Sequence, residues 1–174
     1  HPQVQEQLRE EVNAALAEEV PTLAELGRLK FTKMVFEESM RLFPPVAAFG
    51  RQNIEADELG GYPIGPRTQV KLTQWKVHRH PDYWEEPEKF RPERFSKPLP
   101  HPYAYFPFGA GARECVGKNM AMMEGVGMLA AMIRNFRFHL VNANVKPRPL
   151  ITLRPDPGVY MRIEPARPSR RLRP

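Results

Sequence analysis

Phe108-Gly109-Ala110-Gly111-Ala112-Arg113-Glu114-Cys115-Val116-Gly117 holds the only cysteine of a 174-residue chain. A helical run follows it, so Cys115 stands where a glycine-containing loop meets a helix. Unpaired N–H groups at a helix start, with the helix dipole, favour a thiolate over a thiol. Gly109 and Gly111 let the backbone turn tightly. Arg113 stands two residues before the sulfur. Without this context a lone cysteine is more often a small buried hydrophobe.

Outward from the loop, the N-terminal side is helical. Val4, Leu8, Val12 and Leu16 recur every four residues, and Pro2 suits a first turn, so a helix is expected from Pro2 to about Glu19. Thr22 followed by Glu25 reads as a capping box opening a short helix. A longer helix is expected over Leu29–Phe43, anchored by Met34, Val35, Leu42 and Phe43 and stopped by Pro44-Pro45. A β-rich stretch follows. Val46–Ile54 is one strand, Gly60-Gly61 and Gly65-Pro66 turn around Tyr62-Pro63-Ile64, and Thr68–Leu72 alternates. A short helix over Thr73–His80 ends at Pro81. From Asp82 to Ala112 the aromatics argue for packed, ordered coil.

C-terminal to the loop, Val116–Asn135 reads as a helix whose composition predicts burial. Phe136–Val141, Pro149–Leu153 and Val159–Ile163 read as strands. Pro155-Asp156-Pro157-Gly158 is expected to turn the last two into a hairpin. The expectation is a mainly α fold with small β-sheets: residues 1–164 as part of one domain, 165–174 as a disordered basic tail.

Bulk properties exclude several functions. The net charge is +6, but the last ten residues hold four arginines and no acid, so the basic character is mostly a tail effect. No RNP, zinc-finger or glycine-clamp signature is present, and no nucleic-acid partner is expected. One cysteine rules out an intrachain disulfide framework and a cysteine-rich zinc site. Proline outnumbers glycine, 20 to 11, and loads the part after Pro44 with turns. No run reaches the length of a membrane span. The chain begins at His1 without an initiator methionine, which suggests a piece of something longer.

The loop matches F-x-x-G-x-R-x-C-x-G at every defined position: Phe108, Gly111, Arg113, Cys115 and Gly117, with Ala121 fitting a small residue one turn on. It resembles the cysteine loop of cytochrome P-450 monooxygenases. Two further segments agree, in family order. Glu38-Ser39-Met40-Arg41 resembles the E-x-x-R of the family's K helix, and Pro92-Glu93-Arg94-Phe95 its PERF segment. Alone, Glu38 and Arg41 would read as a surface ion pair worth little. His78-Arg79-His80-Pro81 resembles a His-Arg-Asp-Pro segment, with His80 in place of the aspartate.

The resemblance implies the C-terminal part of that fold, from just before the K helix, with the distal half missing. It implies a haem-thiolate monooxygenase that inserts one atom of O2 into a lipophilic substrate. Cys115 would ligate the iron of haem b (iron protoporphyrin IX), donating electron density that favours O–O cleavage. Phe108, Gly109, Gly111, Arg113, Gly117, Ala121 and Arg51 would help bind the cofactor. Glu38, Arg41 and Arg94 would form a structural triad, since a forked guanidinium suits a shared carboxylate. Val46, Ala47, Ala48, Phe49, Leu150, Ile151 and Thr152 would line the substrate site or serve as plain core. Electrons would come from NAD(P)H through a redox partner, a flavoprotein reductase or a ferredoxin. A eukaryotic parent would sit on the cytosolic face of the endoplasmic reticulum membrane, a bacterial one in the cytoplasm. The isolated piece is expected to be inactive. The alternatives are a non-catalytic or degenerate haem-binding fragment and a cysteine hydrolase, for which nothing fixes a histidine base.

Overall fold

Three helices enclose the core: α1 (Pro2–Ala15), α3 (Lys30–Leu42) and α5 (Lys118–Asn135). The computed structural model describes residues 1–18 and 21–166. Val12, Leu16, Leu29, Val126 and Ala130 form one buried cluster, and Leu8, Val35 and Ile133 a second. The four-residue spacing in α1 thus delivers Leu8, Val12 and Leu16 to one face, as its periodicity predicts. The contact between α3 and α5 needs a missing side chain. A Cβ on Gly125 would lie 2.2 Å from Cζ of Phe36.

Long-range polar contacts tie the helices together. Leu29 gives α3 no side-chain cap, so Glu11 of α1 supplies one. Its carboxylate accepts from Phe31 N–H at 2.7 Å, Thr32 N–H at 2.8 Å and Thr32 Oγ1 at 2.7 Å. An anion at a helix N-terminus is also favoured by the helix dipole. The short α2 (Leu23–Leu26) opens with the expected capping box between Thr22 and Glu25. Glu25 also accepts from Ala17 N–H. Backbone hydrogen bonds from Thr22 and Ala17, and the Thr22 hydroxyl, hold its carboxyl down to about 2.

Helix α1 stops short of Glu19. Leu16 turns extended, with φ −102° and ψ 117°, which keeps its side chain in the core. Carbonyls left without helical partners meet guanidinium groups: Arg28 donates to Ala15, and Arg134 to Leu16 and Glu18. Phe43 does not anchor α3; it is exposed, past the helix end.

Between α3 and α5 lie small antiparallel pairs. β1 (Phe49–Gln52) pairs with β4 (Gln69–Leu72), and β2 (Asp57–Leu59) with β3 (Tyr62–Ile64). Gly60 and Gly61 carry φ of 60° and 84°, the left-handed pair that a two-residue hairpin turn requires. The short α4 (Gln74–Val77) follows, then the aromatic coil and a 3₁₀ turn, Pro92–Ser96.

After α5 come β5 (Phe136–Leu140), β6 (Lys146–Pro149), β7 (Leu153–Asp156) and β8 (Met161–Pro165). The expected last hairpin is wrong. The chain reverses at Leu150–Thr152, so that β6 pairs with β7, while β8 returns to β5. A side-chain latch directs β8 there. Asn142, just after β5, accepts from Tyr160 N–H at 2.8 Å and donates to Gly158 O at 2.7 Å. Pro165 closes β8 rather than opening a tail, and Ala166 N–H donates to Asn135 O. The rest of the expected tail, 167–174, lies outside the described residues.

Composition predicts that helix α5 is buried, but only part of it is. Gly125, Val126, Ala130 and Ile133 are buried, but Met120, Met123, Met128 and Met132 are exposed. Helices with small sheets remain the architecture, as expected of this part of the fold.

Candidate functional site

Glu38 and Arg41, one helical turn apart on α3, are both fully buried. A charge there survives only if every polar atom is matched. Arg41 uses all five of its N–H groups. Nε and Nη2 fork onto Glu38 at 2.7 and 2.9 Å. Nη1 donates to the carbonyls of His78 at 2.8 Å and Pro87 at 2.7 Å, and Nη2 also to Lys89 at 3.2 Å. Glu38 Oε1 additionally accepts from Arg91 N–H at 2.8 Å and from Arg94 Nε at 3.1 Å. Glu38, Arg41 and Arg94 therefore meet in one network that staples the coil to α3. Trp84 lies beneath, 5.1 Å from the Arg41 guanidinium and 5.8 Å from that of Arg94. Phe95, tilted, and Tyr105, edge-on, pack against it, and the Tyr105 hydroxyl donates to Glu37 O at 3.0 Å. Burial pushes the Tyr105 phenol well above its ordinary range, so it stays a donor.

The stapled coil feeds the cysteine loop. Gly109 N–H donates to Phe106 O at 2.9 Å, and Cys115 N–H to Phe108 O at 2.8 Å. Gly109 and Gly111 have φ of 77° and 71°, where a side chain would be strained. A 3₁₀ turn, Gly111–Arg113, leads to Cys115, and α5 starts three residues later, after Gly117. Cys115 is exposed, as is Val116. A Cβ on Gly117 would come within 3.8 Å of the sulfur, so glycine there leaves its flank open. Ala121 N–H closes the first turn of α5 onto Gly117 O at 2.9 Å.

Two cations belong to this region. Arg51 on β1 lies 4.5 Å from the ring of Phe49, and neither it nor Arg113 has a carboxylate partner among the described residues. Arg51, Phe49, Leu72, Tyr103, Phe106, Ala110 and Gly111 share a cavity of about 290 Å³. The β1–β4 pair thus brings Arg51 beside the loop. The loop face offers an exposed thiol, an open glycine backbone, apolar walls and unpaired guanidinium groups. That donor set fits a flat apolar macrocycle with a metal centre and anionic edges. Among the described residues no histidine is hydrogen-bonded to Cys115, and the buried His78 accepts from Phe106 N–H at 3.0 Å.

The remaining sequence candidates divide. Ala47 and Ala48 share a second cavity, of about 290 Å³, with Trp75, Pro147, Pro149 and Leu153. Leu153 N–H donates to Pro45 O at 2.7 Å, which draws the two apolar segments together. Val46 and Thr152 are half-buried beside them, and Leu150 and Ile151 stand exposed at the hairpin turn. Phe49 instead packs edge-on against Phe106, ring centres 6.1 Å apart. Sequence reasoning missed Gln74 and His78 as contacts of the loop. Their i, i+4 spacing on a short helix was the available signal.

The profile described as Cytochrome P-450 matches residues 1–167. Cytochrome P-450 4d2 of Drosophila melanogaster is 38% identical over 170 residues, which is 95% of this chain and 34% of that protein. Protein LUTEIN DEFICIENT 5, chloroplastic, of Arabidopsis thaliana is 37% identical over 145 residues, 80% of this chain and 24% of that protein. Cytochrome P-450 4V2 of Mus musculus is 36% identical over 174 residues, 94% of this chain and 33% of that protein. The chain therefore spans about a third, or less, of the length of these relatives.

Proposed function

Because the chain belongs to the cytochrome P-450 family, we propose that the protein carrying it is a haem-thiolate monooxygenase that inserts one atom of O2 into a lipophilic substrate. The observation that carries this reading is the exposed Cys115 on a loop held by Gly109 and Gly111 in left-handed conformations. When bound, haem b supplies an iron centre able to activate O2 once electrons arrive.

Everything else falls to the chain's own groups. Cys115 offers the thiolate ligand. Gly109, Gly111 and Gly117 keep its surroundings free of side-chain bulk, Phe108 holds its N–H through the main chain, and Ala121 follows on α5. Arg113 and Arg51 hold acidic edges of the cofactor by charge and hydrogen bonding. The Glu38–Arg41–Arg94 network keeps the coil rigid, so that the ligand is presented at a fixed height. Val46, Ala47, Ala48 and Phe49, with Leu150, Ile151 and Thr152, contribute apolar surface to substrate binding.

Electrons come from NAD(P)H through a flavoprotein reductase or a ferredoxin. No helix among the described residues is long and apolar enough to cross a membrane. For a eukaryotic parent we place the protein on the cytosolic face of the endoplasmic reticulum membrane. The 174-residue chain alone does not turn over, because this chemistry needs a site closed against water and placed proton donors. A non-catalytic haem-binding fragment is the second reading.

The test is spectroscopic and uses the whole gene product. Reduced protein under carbon monoxide is expected to show the strongly red-shifted Soret band of thiolate-ligated haem, absent in Cys115→Ala. A band that persists in the variant overturns the assignment of the ligand. A haem-loaded protein that shows the band and, with a reductase and lipophilic substrates, makes no product supports the second reading.

A further inference from the structure

Phe106 lies two residues before Phe108, and both of its backbone polar groups are taken by side chains of α4 and its C-cap residue. Its N–H donates to His78 Nε2 at 3.0 Å, and its carbonyl accepts from Gln74 Nε2 at 2.5 Å. Gln74 and His78 are one turn apart, so their side chains project from the same face. Together they treat Phe106 as a neighbouring strand would, offering one acceptor and one donor.

The arrangement is costly by itself. Gln74 and His78 are essentially inaccessible, and Gln74 Oε1 and His78 Nδ1 have no hydrogen-bond partner among the described residues. Burying polar atoms unpaired is unfavourable, and an apolar pair of similar volume would fill the space without that loss. What the polar pair adds is a fixed main chain at Phe106. The fixed carbonyl also accepts from Gly109 N–H, at the first left-handed residue of the loop. Phe108 then holds Cys115 N–H. Helix α4 is itself anchored: Arg79, just past its end, stacks 3.7 Å from the Trp75 ring and donates to Leu42 O on α3.

We propose that Gln74 and His78 are positioning residues for the cysteine loop, transmitting the rigidity of α4 through Phe106 to Gly109 and Cys115. The proposal rests on the haem-thiolate reading only where haem is the probe. Substitution would let the loop shift while the helical core stays intact, so a coordination readout separates positioning from general stability.

Gln74→Met removes the donor at similar size, and His78→Leu removes the acceptor. His78→Gln restores an acceptor. Thr32→Val is the control, since it deletes a buried hydroxyl that bonds Glu11, between α1 and α3. Amide hydrogen exchange and the ferrous carbon monoxide spectrum are recorded on the whole gene product, with and without haem. In Gln74→Met and His78→Leu, the amides of Gly109 and Cys115 are expected to exchange at least about tenfold faster, the factor that 1.4 kcal/mol represents. The amides of α1 and α5 stay unchanged. In the haem-bound form part of the red-shifted band moves to the position of haem without thiolate. His78→Gln is expected to recover most of the native behaviour, and Thr32→Val to alter neither readout at the loop.

Unchanged loop amides overturn the proposal. So does faster exchange spread equally over all helices, or a His78→Gln variant that behaves like His78→Leu. If His78→Leu does not fold, the milder Gln74→Met decides by the same criteria. A native protein without the red-shifted band, but with the expected exchange pattern, supports the positioning role and removes the haem reading alone.

Discussion

Arg41→Lys is the most informative conservative change in this protein. It keeps the positive charge beside Glu38 and replaces a planar fork of five N–H groups by three donors on a point charge. All five N–H groups of Arg41 are matched, two by Glu38 and three by the carbonyls of His78, Pro87 and Lys89. Lysine removes at least two of these five hydrogen bonds, and a point charge cannot reach Glu38 and the carbonyls of His78 and Pro87 in the directions the fork does, in a site that water does not reach. Each unsatisfied buried group costs about 1–3 kcal/mol, and breaking a buried charge network about 3–5 kcal/mol in all. A domain's whole margin is roughly 5–15 kcal/mol. Urea unfolding of the gene product, followed by circular dichroism, is therefore expected to show a loss of about 3–5 kcal/mol at constant slope. Arg137→Lys is the control. Its guanidinium pairs with Glu6 at the surface, both side chains being nearly half exposed, and the change is expected to cost under about 1 kcal/mol. Equal, small losses at Arg41 and Arg137 would refute the argument, because the network would then be worth no more than a surface bridge.

Three further outcomes are expected. Gly125→Ala drives a Cβ into the Phe36 ring and is expected to cost about 1–3 kcal/mol in chemical denaturation; Phe36→Leu in the same chain is expected to recover part of it. Glu11→Ala removes the cap that α1 supplies to α3, with an expected loss of about 0.5–2 kcal/mol in thermal unfolding and faster exchange at Phe31 and Thr32. His78 gives an acid-sensitive step. Burial, then repulsion from Arg41 and Arg79, lowers its pKa from 6.5 to about 4; Tyr105 and Phe106 are the rings beside it. The unfolded chain binds the proton first, so this stability is complete above pH 6.5 and lost as the pH falls toward 4, by about 3 kcal/mol. A pH titration of the unfolding free energy in which His78→Gln retains the full slope between these values would refute it.

The sequence by itself determined the family and many of the local elements. Gly60-Gly61, the Thr22–Glu25 box and the stop at Pro44-Pro45 act through neighbours a few residues away, and their outcome needs no distant partner. The cysteine loop was legible for the same reason: spacing within Phe108–Gly117 sets the turn and presents the thiol. Glu38, Arg41 and Arg94 were legible as members of a pattern, but a pair one helical turn apart reads equally well as a surface bridge. Only burial decided, by enforcing five matched donors on Arg41.

Where readings failed, the deciding contact was long-range. Pro155–Gly158 is a strong local turn signal, yet Asn142 carried β8 back to β5. Helix α5 has a composition that suits burial, but which face is covered depends on α1 and α3, so its exposed methionines could not be read from it. Gln74 and His78 are unremarkable in sequence. They meet Phe106 because folding brought α4 against it, where two buried side chains stand in for a missing strand partner. Local bonding preferences act along the chain and can be read there, whereas desolvation depends on what packs against a residue, which only the tertiary structure decides.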